Sequence, residues 1–126
     1  MQRWYNIEPM IIRSPMTKEE LHQLILKHED FIKIVVDIER EIMAVGGELH
    51  SDDEQVLLED GSRQKDLWGA NYFLKSHKIR YYSMINIRPS AGNSQQEIQL
   101  PDIRSRVKEI SARLFDLPVE DDLPGS

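Results

Sequence analysis

From Phe31 to Ile38 the chain places Ile32, Ile34, Val36 and Ile38 at every second position. The same stretch also offers Phe31, Ile32, Val35, Ile38 and Ile42 at a spacing that would prolong a helix. β-Branched side chains crowd the preceding turn of a helix and suit a pleated surface, so the alternation predicts a strand. A second strand is expected over Ile42–Val45, ending at Gly46-Gly47, and the two make a hairpin. Upstream, Met10-Ile11-Ile12-Arg13 is a β-prone run stopped by Ser14-Pro15, which suits an edge strand. Thr17 and Glu20 have the spacing of a capping box, predicting a helix from Lys18 to about His28 with Leu21, Leu24 and Ile25 on its apolar side.

The second half of the chain repeats these signals. Ser51 to Glu54 has the capping-box spacing and Gly61 stands where a left-handed terminator belongs, so Asp52–Glu59 is expected to be helical. Leu67–Leu74 and Ile79–Ile87 are aromatic and β-branched runs joined by Lys75-Ser76-His77-Lys78, which predicts an antiparallel pair. Pro101 opens a helix over Asp102–Phe115 with Ile103, Val107, Ile110 and Leu114 as its stripe. The expected order is β-α-β-β-α-β-β-α. This is an α+β fold, a mostly antiparallel sheet of about five strands carrying three helices on one face. One domain spans residues 1–115, and residues 116–126 form an acidic tail expected to be disordered.

Composition narrows the classes of function. A chain of 126 residues with 40% apolar content can bury roughly two thirds of its unfolded surface in one core. With no cysteine, disulfides, thiolate metal sites and cysteine nucleophiles are excluded, and a cytoplasmic location is compatible. Met1 to Pro15 does not have the make-up of a signal peptide, and no stretch approaches a membrane span. A net charge of -6 argues against nucleic-acid or membrane binding over the whole surface. The charge is nevertheless uneven: Glu48–Asp66 holds seven acids against Arg63 and Lys65, whereas Leu67–Gln96 has Lys75, Lys78, Arg80 and Arg88 and no acid.

Four strings, VVDIER at Val35–Arg40, GGELH at Gly46–His50, LLEDGSRQKDLWGAN at Leu57–Asn71 and INIRPSAGN at Ile85–Asn93, carry a family resemblance. In this order the chain resembles a family of uncharacterised prokaryotic proteins, of a type familiar from cyanobacteria, from about Phe31 to Leu114. The resemblance implies a compact α+β domain of unknown function and carries no catalytic role onto any residue.

Candidate chemistry is sparse. Arg88 precedes Pro89, which holds it extended, and Asn86 and Asn93 flank the same glycine-containing loop, a plausible grip for an anion. Turn chemistry accounts for the Asn, Pro, Ser and Gly of that loop equally well. Asn71 and Trp68 join the candidate binding surface. Asp37 and Glu39 are weaker candidates, sharing one side of a strand where a solvated face explains them as well. His50, Asp52 and Glu54 bring imidazole and carboxylates together, but helix capping explains the acids and the spacing is poor for zinc. No metal and no cofactor is expected.

No hydrolase or nucleotide-binding signature is present. The expected function is therefore a small soluble, non-catalytic interaction or regulatory module whose partner is another protein or a small anionic ligand. The alternative is a small enzyme or nucleic-acid-processing factor using Arg88 and its polar neighbours. Nucleic acid is considered only through the basic hairpin, residues 75–88, where Trp68, Tyr72, Phe73, Tyr81 and Tyr82 lie close in sequence; core packing is the plainer use of those rings.

Overall fold

The computed structural model describes residues 8–28 and 30–122. Six strands form one sheet in the order β1-β3-β2-β4-β5-β6, antiparallel throughout except for the last pair. Its centre is β2 (Phe31–Asp37), flanked by β3 (Ile42–Val45) and β4 (Leu67–Phe73). The strand predicted from β-branched alternation is thus present, and β1 (Met10–Ile12) lies at the edge as expected. The β2–β3 turn is held by the buried Asp37 carboxylate. Its Oδ1 accepts the backbone N–H groups of Glu39 and Arg40, each at 2.9 Å, and its Oδ2 accepts the Ser62 hydroxyl at 2.6 Å.

Helix α1 (Lys18–Lys27) starts at the predicted capping box: Thr17 Oγ1 accepts the Glu20 amide at 3.1 Å, and the Glu20 carboxylate accepts the Thr17 amide at 2.9 Å. Helix α3 (Pro101–Phe115) likewise begins at its proline. Both pack on one sheet face, where Leu24, Val107, Ile110, Leu114 and Phe115 meet Ile32, Ile34, Val36, Met43, Val45, Ala70 and Tyr72. Helix α2 (His50–Glu59) packs on the opposite face, its Leu57 against Val35, Ile42, Ala44 and Leu67. The expectation of helices on one face is therefore corrected. Ile34 to Asp37 and Ile42 to Val45 are buried without interruption, so these strands have two dry sides and need two covers. Burying a side chain such as Leu57 contributes about 1.5–3 kcal/mol, which sets the worth of the second layer. Helix α2 also begins two residues earlier than predicted, with the Asp52 carboxylate accepting the Leu49 amide at 3.0 Å. Gly61, at φ 103°, terminates it as expected.

The second hairpin is shorter than its sequence suggested. Strand β5 is only Lys78–Arg80, and Met84–Asn86 is a 3-10 turn instead of a continuing strand. The cause is local to Gly69, two residues along β4 from the Asn71–Arg80 pair. The Asn86 side chain accepts the Gly69 N–H at 2.8 Å and donates to the Gly69 carbonyl at 3.0 Å, supplying both groups that a longer β5 would have offered. A side chain at position 69 would obstruct this, because a Cβ there would lie 2.6 Å from the Ser83 Cβ.

The residues after α3 also depart from expectation. Val119 is buried, and β6 (Glu120–Asp121) pairs parallel to β5 as a sixth strand. The Tyr72 hydroxyl donates to the Pro118 carbonyl at 2.8 Å, and the Tyr81 hydroxyl donates to Asp121 Oδ1 at 2.6 Å. The remainder of the predicted tail, 123–126, and the first part of the Met1 to Pro15 segment, 1–7, lie outside the described residues. Among the described residues no helix is long and apolar enough to cross a membrane.

Candidate functional site

Helix α2 leaves part of its sheet face open. On that face Phe31 of β2 stands beside Phe73 of β4, and Lys33 stands beside Asn71, whose other neighbour is Arg80 of β5. Between this open area, the start of α2 and the Ser83–Asn86 turn lies a hollow of about 360 Å³. Its polar lining comes from Lys33, His50, Ser51, Asn71, Ser83 and Gln96, and its apolar lining from Leu49, Tyr82, Met84 and Ile85. Leu49, Tyr82 and Met84 are 58%, 41% and 70% exposed, which gives the site an apolar rim. The volume falls within the range of small-molecule sites.

His50 Nε2 lies 2.8 Å from the Ala70 carbonyl oxygen. A carbonyl only accepts, so Nε2 carries the proton and the neutral ring keeps its lone pair on Nδ1. Burial holds this imidazole below its ordinary pKa; the Ala70 carbonyl opposes that, and the charge of Lys33 reinforces it. The Asn71 side chain also favours the charged ring, and its Oδ1 is enclosed. One step behind the hollow, Asp53 Oδ1 accepts the Gly47 amide at 2.9 Å, while Oδ2 is enclosed and unpaired. Burial pushes the Asp53 carboxyl up to about 8, against the opposing pull of the Gly47 N–H. The raised pKa reduces the negative charge that Asp53 sets beside Lys33.

A family model described as Protein of unknown function (DUF5674) matches residues 10–114. The chain belongs to this family. The matched span runs from β1 into α3 and includes every residue of the hollow, whereas Val119 and β6 lie beyond it. No curated protein and no solved structure matches the chain.

The structure distributes the residues singled out from the sequence over three places. Asn71 lines the hollow. Arg88 donates to the carbonyls of Lys65, at 3.3 Å, and Leu67, and its guanidinium lies 4.4 Å from the centroid of the buried Trp68 ring. Burial lowers the Arg88 pKa, with Glu54 and Asp66 opposing. Asn86 and Asn93, expected as exposed polar heads, are fully buried. Asn93 Nδ2 donates to the carbonyls of Asn86, Gln95 and Glu97, and its Oδ1 accepts the Gln99 amide at 2.6 Å. Their amides hold the 83–99 segment together because a chain that leaves its sheet must find other partners for its backbone groups. Asp37 and Glu39 sit at the β2–β3 turn, Glu39 being exposed, and neither lines the hollow.

His50 was considered in the sequence without being chosen, and Lys33 was not singled out there. For His50 the signal was present, an imidazole at a helix start, but the adjacent acids read as a cap. Ser83 and Gln96 carried no signal, because their positions depend on the turn that Gly69 admits. Among the described residues no group of three or more His, Cys, Asp or Glu is placed to hold a metal ion.

Proposed function

We propose that the domain is a binding module whose hollow beside His50 takes a small anionic ligand that also has a hydrogen-bond donor and an apolar surface. The observation that carries this reading is the Lys33 cation beside the neutral His50 ring in a hollow of about 360 Å³ with an apolar rim. With Nε2 on the Ala70 carbonyl, the lone pair of His50 Nδ1 is the acceptor for a ligand N–H. Lys33 would meet the anionic group and Leu49, Tyr82 and Met84 the apolar one. The cytoplasm is the location this reading assumes, compatible with a cysteine-free chain.

The enzymatic alternative built on Arg88 loses support from its hydrogen bonds to two backbone carbonyls. Proton transfer would fall to His50 Nδ1, yet no nucleophile among the described hydrogen bonds is joined to that atom.

The test is protein-observed NMR with phenyl phosphate, benzoate and nucleoside monophosphates. At least one probe is expected to shift the amides of Lys33, His50, Asn71 and Ser83 saturably, and Lys33→Ala to weaken that response about tenfold, the size of a charge-assisted contact. If no probe moves those residues, or if Lys33→Ala leaves the response intact, the hollow is not the ligand site.

A further inference from the structure

We infer that the open sheet area is a platform for single-stranded nucleic acid, with one base in the hollow beside His50 and a neighbouring base on Phe31 and Phe73. This rests on the hollow being a ligand site and names the ligand.

The register of the sheet puts two hollows in line. Phe31 pairs with Phe73, and two residues further along, Lys33 pairs with Asn71, so both rows present side chains on the same face about 7 Å apart. Lys33 and Asn71 line the first hollow; Phe31 and Phe73 line a second, of about 400 Å³, together with Asp30, Lys75 and Ser76. The two phenyl centroids are 5.3 Å apart, and Phe31 is 36% exposed although it sits in a strand next to the core. The two rings are tilted by 40°, so an unstacked base would lie on the accessible face of one with its edge against the other.

Cations surround that surface. Lys33 Nζ is 5.2 Å from the Phe31 centroid and also lines the first hollow, so its charge lies between the two base positions, where a backbone phosphate would run. Lys75 lines the second hollow, Lys78 is opposite Phe73, and Arg80 is opposite Asn71 with its guanidinium 5.7 Å from the Tyr82 ring. Among the described residues the acids nearby are Asp30, Glu120, 3.4 Å from Lys78, Glu97, bridged to Tyr82, and Asp53, whose raised pKa weakens its charge beside Lys33. In the first hollow the lone pair of His50 Nδ1 is suited to an exocyclic amine or ring N–H of a base. A duplex would present neither open base faces nor free edges to this area, and the net charge of -6 opposes broad attachment to its phosphates.

The experiment measures fluorescence anisotropy of labelled oligouridylate and oligothymidylate of about ten nucleotides, in the size range of known single-strand sites, with a duplex as competitor. Saturable binding of one or both single strands is expected, the pair distinguishing RNA from DNA, with weaker competition by duplex. Phe31→Ala and Phe73→Ala should each weaken binding about fivefold or more, and Phe31→Trp should retain it. With three phosphate contacts the slope of log affinity against log salt should be about -2, and Lys33→Ala should reduce its magnitude by about 0.7. Lys18→Ala, on a helix packed against the other face, should change nothing; thermal melts confirm that each variant folds. Absence of saturable binding at low salt would overturn the platform, as would binding that both Phe→Ala variants leave unchanged or a dimer that occludes Phe31 and Phe73. If uridine monophosphate still shifts Lys33, His50 and Asn71 while oligonucleotides fail, the platform falls and the hollow stands. If oligonucleotides bind through the phenyl pair but Lys33→Ala and Asn71→Ala have no effect, the hollow is not part of the site and the assignment of a base to it is refuted.

Discussion

Replacing Asp53 by Asn removes an ionisable carboxyl from a place that water does not reach. Asp53 is fully buried, its Oδ1 accepts the Gly47 amide and its Oδ2 has no partner, so burial raises its pKa from 3.8 to about 8. A carboxyl whose folded pKa lies above its unfolded value binds its proton more tightly when folded. It leaves stability untouched below 3.8 and lowers stability as pH climbs from 3.8 towards about 8. With 1.36 kcal/mol per pKa unit, the unfavourable contribution is about 1.7 kcal/mol at pH 5 and about 5 kcal/mol at pH 8. Asn is nearly isosteric, keeps the acceptor for the Gly47 amide and does not titrate. Urea unfolding of both proteins at pH 5 and pH 8 isolates the effect, because His28, His50 and the other shared groups not coupled to Asp53 cancel in the difference. The Asn variant is expected to gain on the wild type by at least about 2 kcal/mol between those two pH values, with equal m-values. A gap that stays constant or narrows would mean that Asp53 is ionised in the fold, with Lys33 compensating it, and the account of that buried carboxyl would be wrong.

Gly69→Ala should cost about 1–3 kcal/mol in denaturant unfolding and weaken probe binding in the hollow, because the new Cβ would meet Ser83 Cβ and Oγ at 2.6 and 2.7 Å and push the 3-10 turn off the sheet. Wild-type stability would show that this turn yields readily. Asn93→Ala should lower stability by at least about 2 kcal/mol, since it orphans several enclosed backbone groups; a loss under half of that would show that water takes over its bonds. Ending the chain after Leu117 should cost about 2–4 kcal/mol by exposing the Val119 site and leaving the Tyr72 and Tyr81 hydroxyls unpaired, and an unchanged melting temperature would mean that β6 is ornamental to the fold.

Features whose cause is local could be read from the sequence. Ile32, Ile34 and Val36 made β2 a strand, Thr17 with Glu20 started α1, Gly61 stopped α2 and Pro101 opened α3. Features that depend on distant partners could not. Ile85 and Ile87 are β-prone, yet their strand is pre-empted by an Asn86 side chain that bonds Gly69, 17 residues away. The acidic stretch after α3 looks fit for solvent until Tyr72 and Tyr81 are seen to hold it, from 46 and 40 residues away. The same division runs through the site. Asn71 was named, and Lys33 lay in plain view on a strand face, but only the fold shows that the face is open at Lys33 and closed at Val35. Arg88, Asn86 and Asn93 attracted attention because polar residues at a glycine loop suggest ligands. Here an aromatic ring and a series of backbone carbonyls lie within their reach.

Strand β6 has a bearing on how the molecule is made. During synthesis its two residues leave the ribosome after every other strand and helix described here, so β5 must wait with its outer N–H and C=O groups bare. The growing chain thus passes through an interval in which an almost complete sheet offers a free pairing edge to its neighbours. The arrival of Val119, Glu120 and Asp121 replaces that edge by a two-residue acidic one, too short and too charged to invite another strand, so these residues guard against misassembly as well as completing the sheet.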